Sequence, residues 1–279
     1  MGRPAWIALV LLLIAGGALF WWKHQRVQPA PAAPPAPVVA PPPPPAAPPP
    51  PPAEPAIRHP VPIAHEGALP SLDESDHYIR NALIDLVGRR AVGTFLRLEG
   101  AARRFVATAN NLATDDASAS LWPVATTPGH FQTEARDGAL VIAAGNADRY
   151  VPFVRFAEGI NAGRAAALYF RLYPLLQRAY EDLGYPGKYL NDRVVEVIDN
   201  LLATPKVAGP IRVRRVGADG GGAGTGLYLY EDASLESASA GQKILLRMGT
   251  DNASRLMTKL TELRAQIARG PGAATSHPR

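Results

Sequence analysis

By the placement of apolar and polar side chains, the chain falls into three stretches. Between Arg3 and Lys23 it reads PAWIALVLLLIAGGALFWW, apolar on every face of a helix and free of charge. A helix rises about 1.5 Å per residue, so about 18–20 such residues cross roughly 30 Å of hydrocarbon. Trp6 at one end and Trp21 and Trp22 at the other lie where indole rings settle at the headgroup boundary. The pattern predicts a membrane anchor in 1–27, its helix over residues 5–22, with the lipid bilayer as partner. Residues 28–68 are dominated by proline and alanine. Such a stretch lacks the apolar bulk for a core and the amide donors for a helix. A disordered Pro/Ala-rich linker is expected, with polyproline II spacing of about 3.1 Å per residue.

From Leu69 the pattern changes to helical spacing. Asp73 is expected to cap a helix running to Val87, with Ile79, Leu83, Leu86 and Val87 on one face and Gly88 as its stop. A second stretch over 91–112, broken near Gly100, turns Phe95, Leu98, Phe105 and Val106 inward. Phe131–Ala135 and Ala139–Ala143 flank Asp137-Gly138, a hairpin signal. Asn146 reads as the cap of a short helix to Phe156, and Asn161 opens the longest helix, to Leu183, with a kink expected at Pro174. Helices over 191–202, 235–248 and 252–268 complete the pattern, and a second hairpin pairs 211–216 with 226–231 around a glycine-rich tip. The expected fold class is α+β and predominantly α-helical. It is a single globular helical domain with two small β-hairpins over 69–269, ending in a disordered tail over 270–279.

Composition refines the picture at few points. The formal charge of +5 is spread along the chain, with basic and acidic residues alternating, so no nucleic-acid footprint arises. There is no cysteine, and the six histidines have no partner at ligand spacing, so no metal and no cofactor is expected. Lys23 and Arg26 after the apolar run balance Arg3 before it, so basic residues barely set orientation. Absence of cysteine and a long spacer favour a bacterial inner-membrane, single-pass protein with its carboxyl-terminal domain periplasmic. The competing readings are a signal peptide cleaved after Ala18 and a domain held on the cytoplasmic side.

Candidate chemistry is sparse. Ser75-Asp76-His77 names three triad residue types, but neighbours on a helix point apart. The glycine run 220–226 lacks the Gly-Lys-Ser/Thr ending of a phosphate loop. The segment with most character is 168–193. Tyr169, Tyr173 and Tyr180 share a helix face, with Tyr189 just beyond the following turn and Asn191-Asp192-Arg193 at its edge. Rings with polar tips are suited to a groove for peptide or glycan, against the alternative of a core helix whose hydroxyls find internal partners. Asp192, Glu196 and Asp199 align on a second face, the pattern acid–base chemistry needs when burial separates two pKa values.

The stretch from about Leu69 to Ala268 resembles a proteobacterial family catalogued as domain of unknown function 3014. The matching blocks include Leu69-Pro70-Ser71-Leu72-Asp73-Glu74-Ser75-Asp76, Arg104-Phe105-Val106-Ala107-Thr108, and Tyr173-Pro174 through Ala179-Tyr180 to Leu183-Gly184-Tyr185-Pro186. They continue with Asn191-Asp192-Arg193, Glu196-Val197-Ile198-Asp199 and Gly241-Gln242-Lys243. Where that family usually has Tyr-Phe-Asn-Asp-Arg, this chain has Tyr189-Leu190-Asn191-Asp192-Arg193. The resemblance implies an amino-terminal anchor and a proline-rich linker, and it implies no activity. The expectation is therefore a membrane-tethered envelope protein whose domain binds an unidentified envelope protein or glycan as a scaffolding module. An envelope hydrolase using carboxylates such as Glu196 is the alternative, and the pattern leans away from an enzyme.

Overall fold

The computed structural model describes residues 56–61, 69–216 and 227–270. The apolar run 5–22, the proline-rich stretch up to 55, the glycine-rich tip 220–226 and the tail beyond 270 lie outside the described residues. Among the described residues no helix is long and apolar enough to cross a membrane. The folded unit is predominantly helical with two small antiparallel hairpins. Its helices are α1 (Ser75–Val87), α2 (Arg89–Phe95), α3 (Ala101–Asn111), α4 (Val151–Gly159), α5 (Ala162–Asp182), α6 (Leu190–Leu202), α7 (Ala233–Glu236), α8 (Ala240–Arg247) and α9 (Thr250–Arg269). Strand β1 (Thr133–Arg136) pairs with β2 (Ala139–Ile142), and β3 (Val213–Val216) with β4 (Leu227–Tyr230).

The main core gathers buried side chains from α1, α2, α3, α5 and α6, closed by Ile267 of α9. Val106 and Tyr173 lie at its centre with almost no exposed surface. A smaller cluster joins Val197 and Leu201 of α6 to Leu245, Met248 and Ala253, and a third packs Val213 and Tyr230 against Leu235 and Leu246. The two hairpins are tied where the amide of Ile142 donates to the carbonyl of Ile211. At the first hairpin the turn is Asp137-Gly138, both with positive φ, as that pair was expected to supply.

Several boundaries differ from the sequence reading, each for a physical reason. Asp73 sits in a 3-10 turn before α1 and pairs with Arg103 rather than capping the helix. Asp76 instead caps α3 from a distance, its carboxylate accepting the amides of Gly100 (2.7 Å) and Ala101 (2.9 Å). Asn146 is not a cap either. It is fully buried in a 3-10 turn, where Oδ1 accepts from Gln132 and Arg149 and Nδ2 donates to the carbonyl of Arg247. The single helix expected over 235–248 is two, because Ser239 and Gln242 form a reciprocal capping box that starts α8 afresh. Asn161 does cap α5 through Arg164, and α5 runs continuously to Asp182 through Pro174.

Residues 56–61, within the stretch read as linker, lie against this body, and Val61 is buried in the main core. They form the strap on which the site below depends.

Candidate functional site

The site is built at the first turn of α6. Gly184 (φ +109) releases the chain from α5 and Gly187 (φ +72) turns it back, which only glycine does without strain. Tyr189 then sits in extended conformation at the helix start, followed by Leu190, Asn191 and Asp192. Gln177 of α5 fastens this turn: its Oε1 accepts the amide of Leu190 at 2.9 Å and its Nε2 donates to the carbonyl of Lys188 at 2.8 Å.

The Tyr173 ring lies between those of Tyr169 and Tyr189, at centroid distances of 5.8 and 5.7 Å. The Tyr169 hydroxyl donates to Asn191 Oδ1 (3.0 Å). The Tyr173 hydroxyl donates to Gln177 Oε1 (3.0 Å) and accepts the amide of Asn191 (3.3 Å). Burial pushes the pKa of both phenols up, which keeps them protonated and donating. Asn191 is fully buried, and an amide there stays affordable only because each of its groups is engaged.

What this corner holds is the strap. The amides of Arg58 and His59 donate to the two oxygens of Asp192, at 3.0 and 2.7 Å. Asn191 Nδ2 donates to the carbonyl of His59 (2.8 Å) and makes a longer contact with that of Ile267 (3.4 Å). The Tyr189 hydroxyl accepts the amide of Val61 (2.6 Å) and donates to the Val61 carbonyl (3.2 Å). A carboxylate, a carboxamide and a phenol thus hold the backbone of three residues, Arg58, His59 and Val61.

Of the seven residues singled out in the sequence, five converge here: Tyr169, Tyr173, Tyr189, Asn191 and Asp192. Tyr169 and Tyr173 serve from within, as core rings whose hydroxyl tips set Asn191. Tyr180 and Arg193 belong to a separate cluster. Tyr180 is buried and stacks on Tyr185 at 4.7 Å. Arg193 extends to α3, donating to Asn110 Oδ1 and to the Asn110 carbonyl, and pairs with Glu196 at 2.8 Å. Asn110 in turn donates to the Tyr185 hydroxyl. Gln177 and the strap went unseen in the sequence. Gln177 falls at i+4 from Tyr173 on one helix face, a signal that was there to use.

The three aligned carboxylates have three different partners. Asp192 holds the strap, Glu196 pairs with Arg193, and Asp199 is clamped by both guanidinium nitrogens it meets on Arg264. The Arg264 hydrogen bonds hold the Asp199 carboxyl below its usual range. Among the described residues no group of three or more acidic or imidazole side chains is placed to hold a metal ion.

A second concavity, of about 410 Å³, opens between the hairpins and α8–α9, lined by Ile142, Ile211, Leu245, Met257 and Lys206. Arg247, also in its wall, is committed elsewhere, donating to the Tyr228 carbonyl and lying over the rings of Phe131 and Tyr230.

A family model described as protein of unknown function (DUF3014) matches residues 101–264. No curated protein and no solved structure matches the chain.

Proposed function

We propose, for a chain that belongs to the DUF3014 family of proteins of unknown function, that its folded part is a binding and scaffolding module that grips the main chain of a polypeptide segment. The apolar run 5–22 and the proline-rich stretch would hold that module off the bacterial inner membrane, on the periplasmic side. One observation carries the binding reading: Tyr189, Asn191 and Asp192 close five hydrogen bonds at 3.2 Å or less on the backbone of residues 58–61. A site that holds main-chain amides and carbonyls is chemically suited to a peptide segment, here one bent so that two successive amides meet a single carboxylate. The hydrolase reading gains little support beside it, because an acid catalyst needs a carboxyl raised in pKa and Asp199 is held low by Arg264.

The rings of Tyr173 and Tyr180 are poor tools for a test, since both are buried and their removal would damage the fold. Asp192→Ala and Tyr189→Phe act at the gripping atoms instead. With a photo-crosslinking residue in place of the exposed Lys188, irradiation of intact cells is expected to join the chain to an envelope protein. Asp192→Ala should weaken that adduct severely. Crosslinks that never form, or that ignore Asp192, would contradict the reading. A compartment-sensitive reporter fused at the carboxyl terminus tests the orientation, with activity expected only outside the cytoplasm.

A further inference from the structure

We infer that the Tyr189–Asn191–Asp192 corner is a docking cleft for a bent segment in which a proline is followed by an aliphatic residue, and that residues 58–61 occupy it in cis as a built-in competitor. The inference rests on the peptide-binding reading and adds to it the ligand's chemistry and a device for regulation.

The pattern follows from which strap atoms are gripped. The amides of residues 58, 59 and 61 are all taken, and the nitrogen that is left out belongs to Pro60, which has no hydrogen to donate. Proline fits that position without loss, and its fixed φ lowers the entropy lost when the segment docks. Val61 is the apolar anchor, only 5% exposed and packed in the main core. Arg58 is exposed, and it is its amide rather than its side chain that Asp192 holds. The cleft therefore offers a backbone clamp and an apolar socket.

Contacts made to main-chain atoms are indifferent to which chain supplies them. What favours the resident strap is its covalent connection through residues 62–68 to Leu69. A short connection of this kind confers an effective concentration on the order of millimolar. With a Kd of about 0.1 mM for the strap sequence at the vacant cleft, the tethered copy would weaken binding of any outside peptide roughly tenfold. Release of the strap is thereby a way to open the site.

The test uses the full chain and a fluorescein-labelled peptide, Ala-Ile-Arg-His-Pro-Val-Pro, which copies residues 56–62. Val61→Asp disables the strap and is expected to raise affinity for the peptide at least about tenfold over the unaltered chain. Adding Asp192→Ala should remove that binding, and a peptide with aspartate in place of its valine should not bind. In the unaltered chain, excess unlabelled peptide should speed amide hydrogen exchange at Arg58, His59 and Val61 several-fold. This second arm decides alone if Val61→Asp perturbs the fold. Peptide affinity unchanged by a folded Val61→Asp chain, strap exchange indifferent to peptide, or chains that pair by exchanging straps while ignoring free peptide would each overturn the inference. If these arms fail while crosslinks from position 188 still depend on Asp192, the strap inference falls and the binding module stands.

Discussion

Asn191 ties together three separated parts of the chain with one carboxamide: Tyr169 on α5, His59 on the strap and, more distantly, Ile267 near the end of α9. Replacing it with leucine keeps the bulk but strands the Tyr169 hydroxyl inside the protein and takes the donor from the His59 carbonyl. A buried polar group left unpaired costs about 1–3 kcal/mol, so Asn191→Leu is expected to lower stability by at least that much. Urea denaturation would read the loss as a fall in the midpoint. Tyr173→Phe, which leaves the ring in place, should cost only about 1 kcal/mol, whereas Tyr173→Ala should cost about 3–5 kcal/mol. That Tyr169 and Tyr173 lie on one helix face was legible from their spacing of four. That the face turns into the core was not, because the direction is set by α3 and α6, which arrive from elsewhere in the chain. The strap was illegible for a related reason. Its hydrogen bonds use main-chain atoms, which leave no trace in side-chain pattern.

Elements meet most closely where α8 begins. The amides of Ala240 and Gly241 donate to the carbonyls of Thr114 and Leu112, just past the end of α3. A Cβ on Gly241 would stand 2.3 Å from Leu201 Cδ2 and 2.8 Å from the Leu112 carbonyl oxygen, and backbone does not yield cheaply. Gly241→Ala is therefore expected to destabilise by about 1–3 kcal/mol despite the better helix propensity of alanine, as a lower thermal midpoint would show. Helices α6 and α9 are tied by Asp199 and Arg264. The Asp199 carboxyl is lower in pKa in the folded chain than in the unfolded one. Its contribution is thus present above about pH 4 and is lost as pH falls through the folded value. Since the pair is half exposed, the amount is about 0–1 kcal/mol. Arg264→Leu should flatten the acid limb of a urea midpoint–pH curve below about pH 4, while leaving its neutral shape alone. The long helices were legible from period alone. The break between α7 and α8 was masked because Leu235, Leu245 and Leu246 keep an apolar pattern across it, and the Ser239–Gln242 box that makes the break is only four residues long.

At the scale of the molecule, a helical body carries one corner that grips main chain, and the chain that enters that body supplies the segment gripped. The tyrosine-rich segment and the Asn191-Asp192 turn marked that corner in the sequence; its geometry required α5, α6 and the strap together. The claim on which the rest depends is that Tyr189, Asn191 and Asp192 hold a backbone. Residue-resolved hydrogen exchange of the full chain at neutral pH, with and without Asp192→Ala, addresses it most directly. The amides of Arg58, His59 and Val61 are expected to be protected in the unaltered chain. In Asp192→Ala, those of Arg58 and His59 should exchange as fast as in an unstructured peptide while α5 stays protected. Strap amides that already exchange at unstructured rates in the unaltered chain, or that keep their protection without the Asp192 carboxylate, would contradict the account.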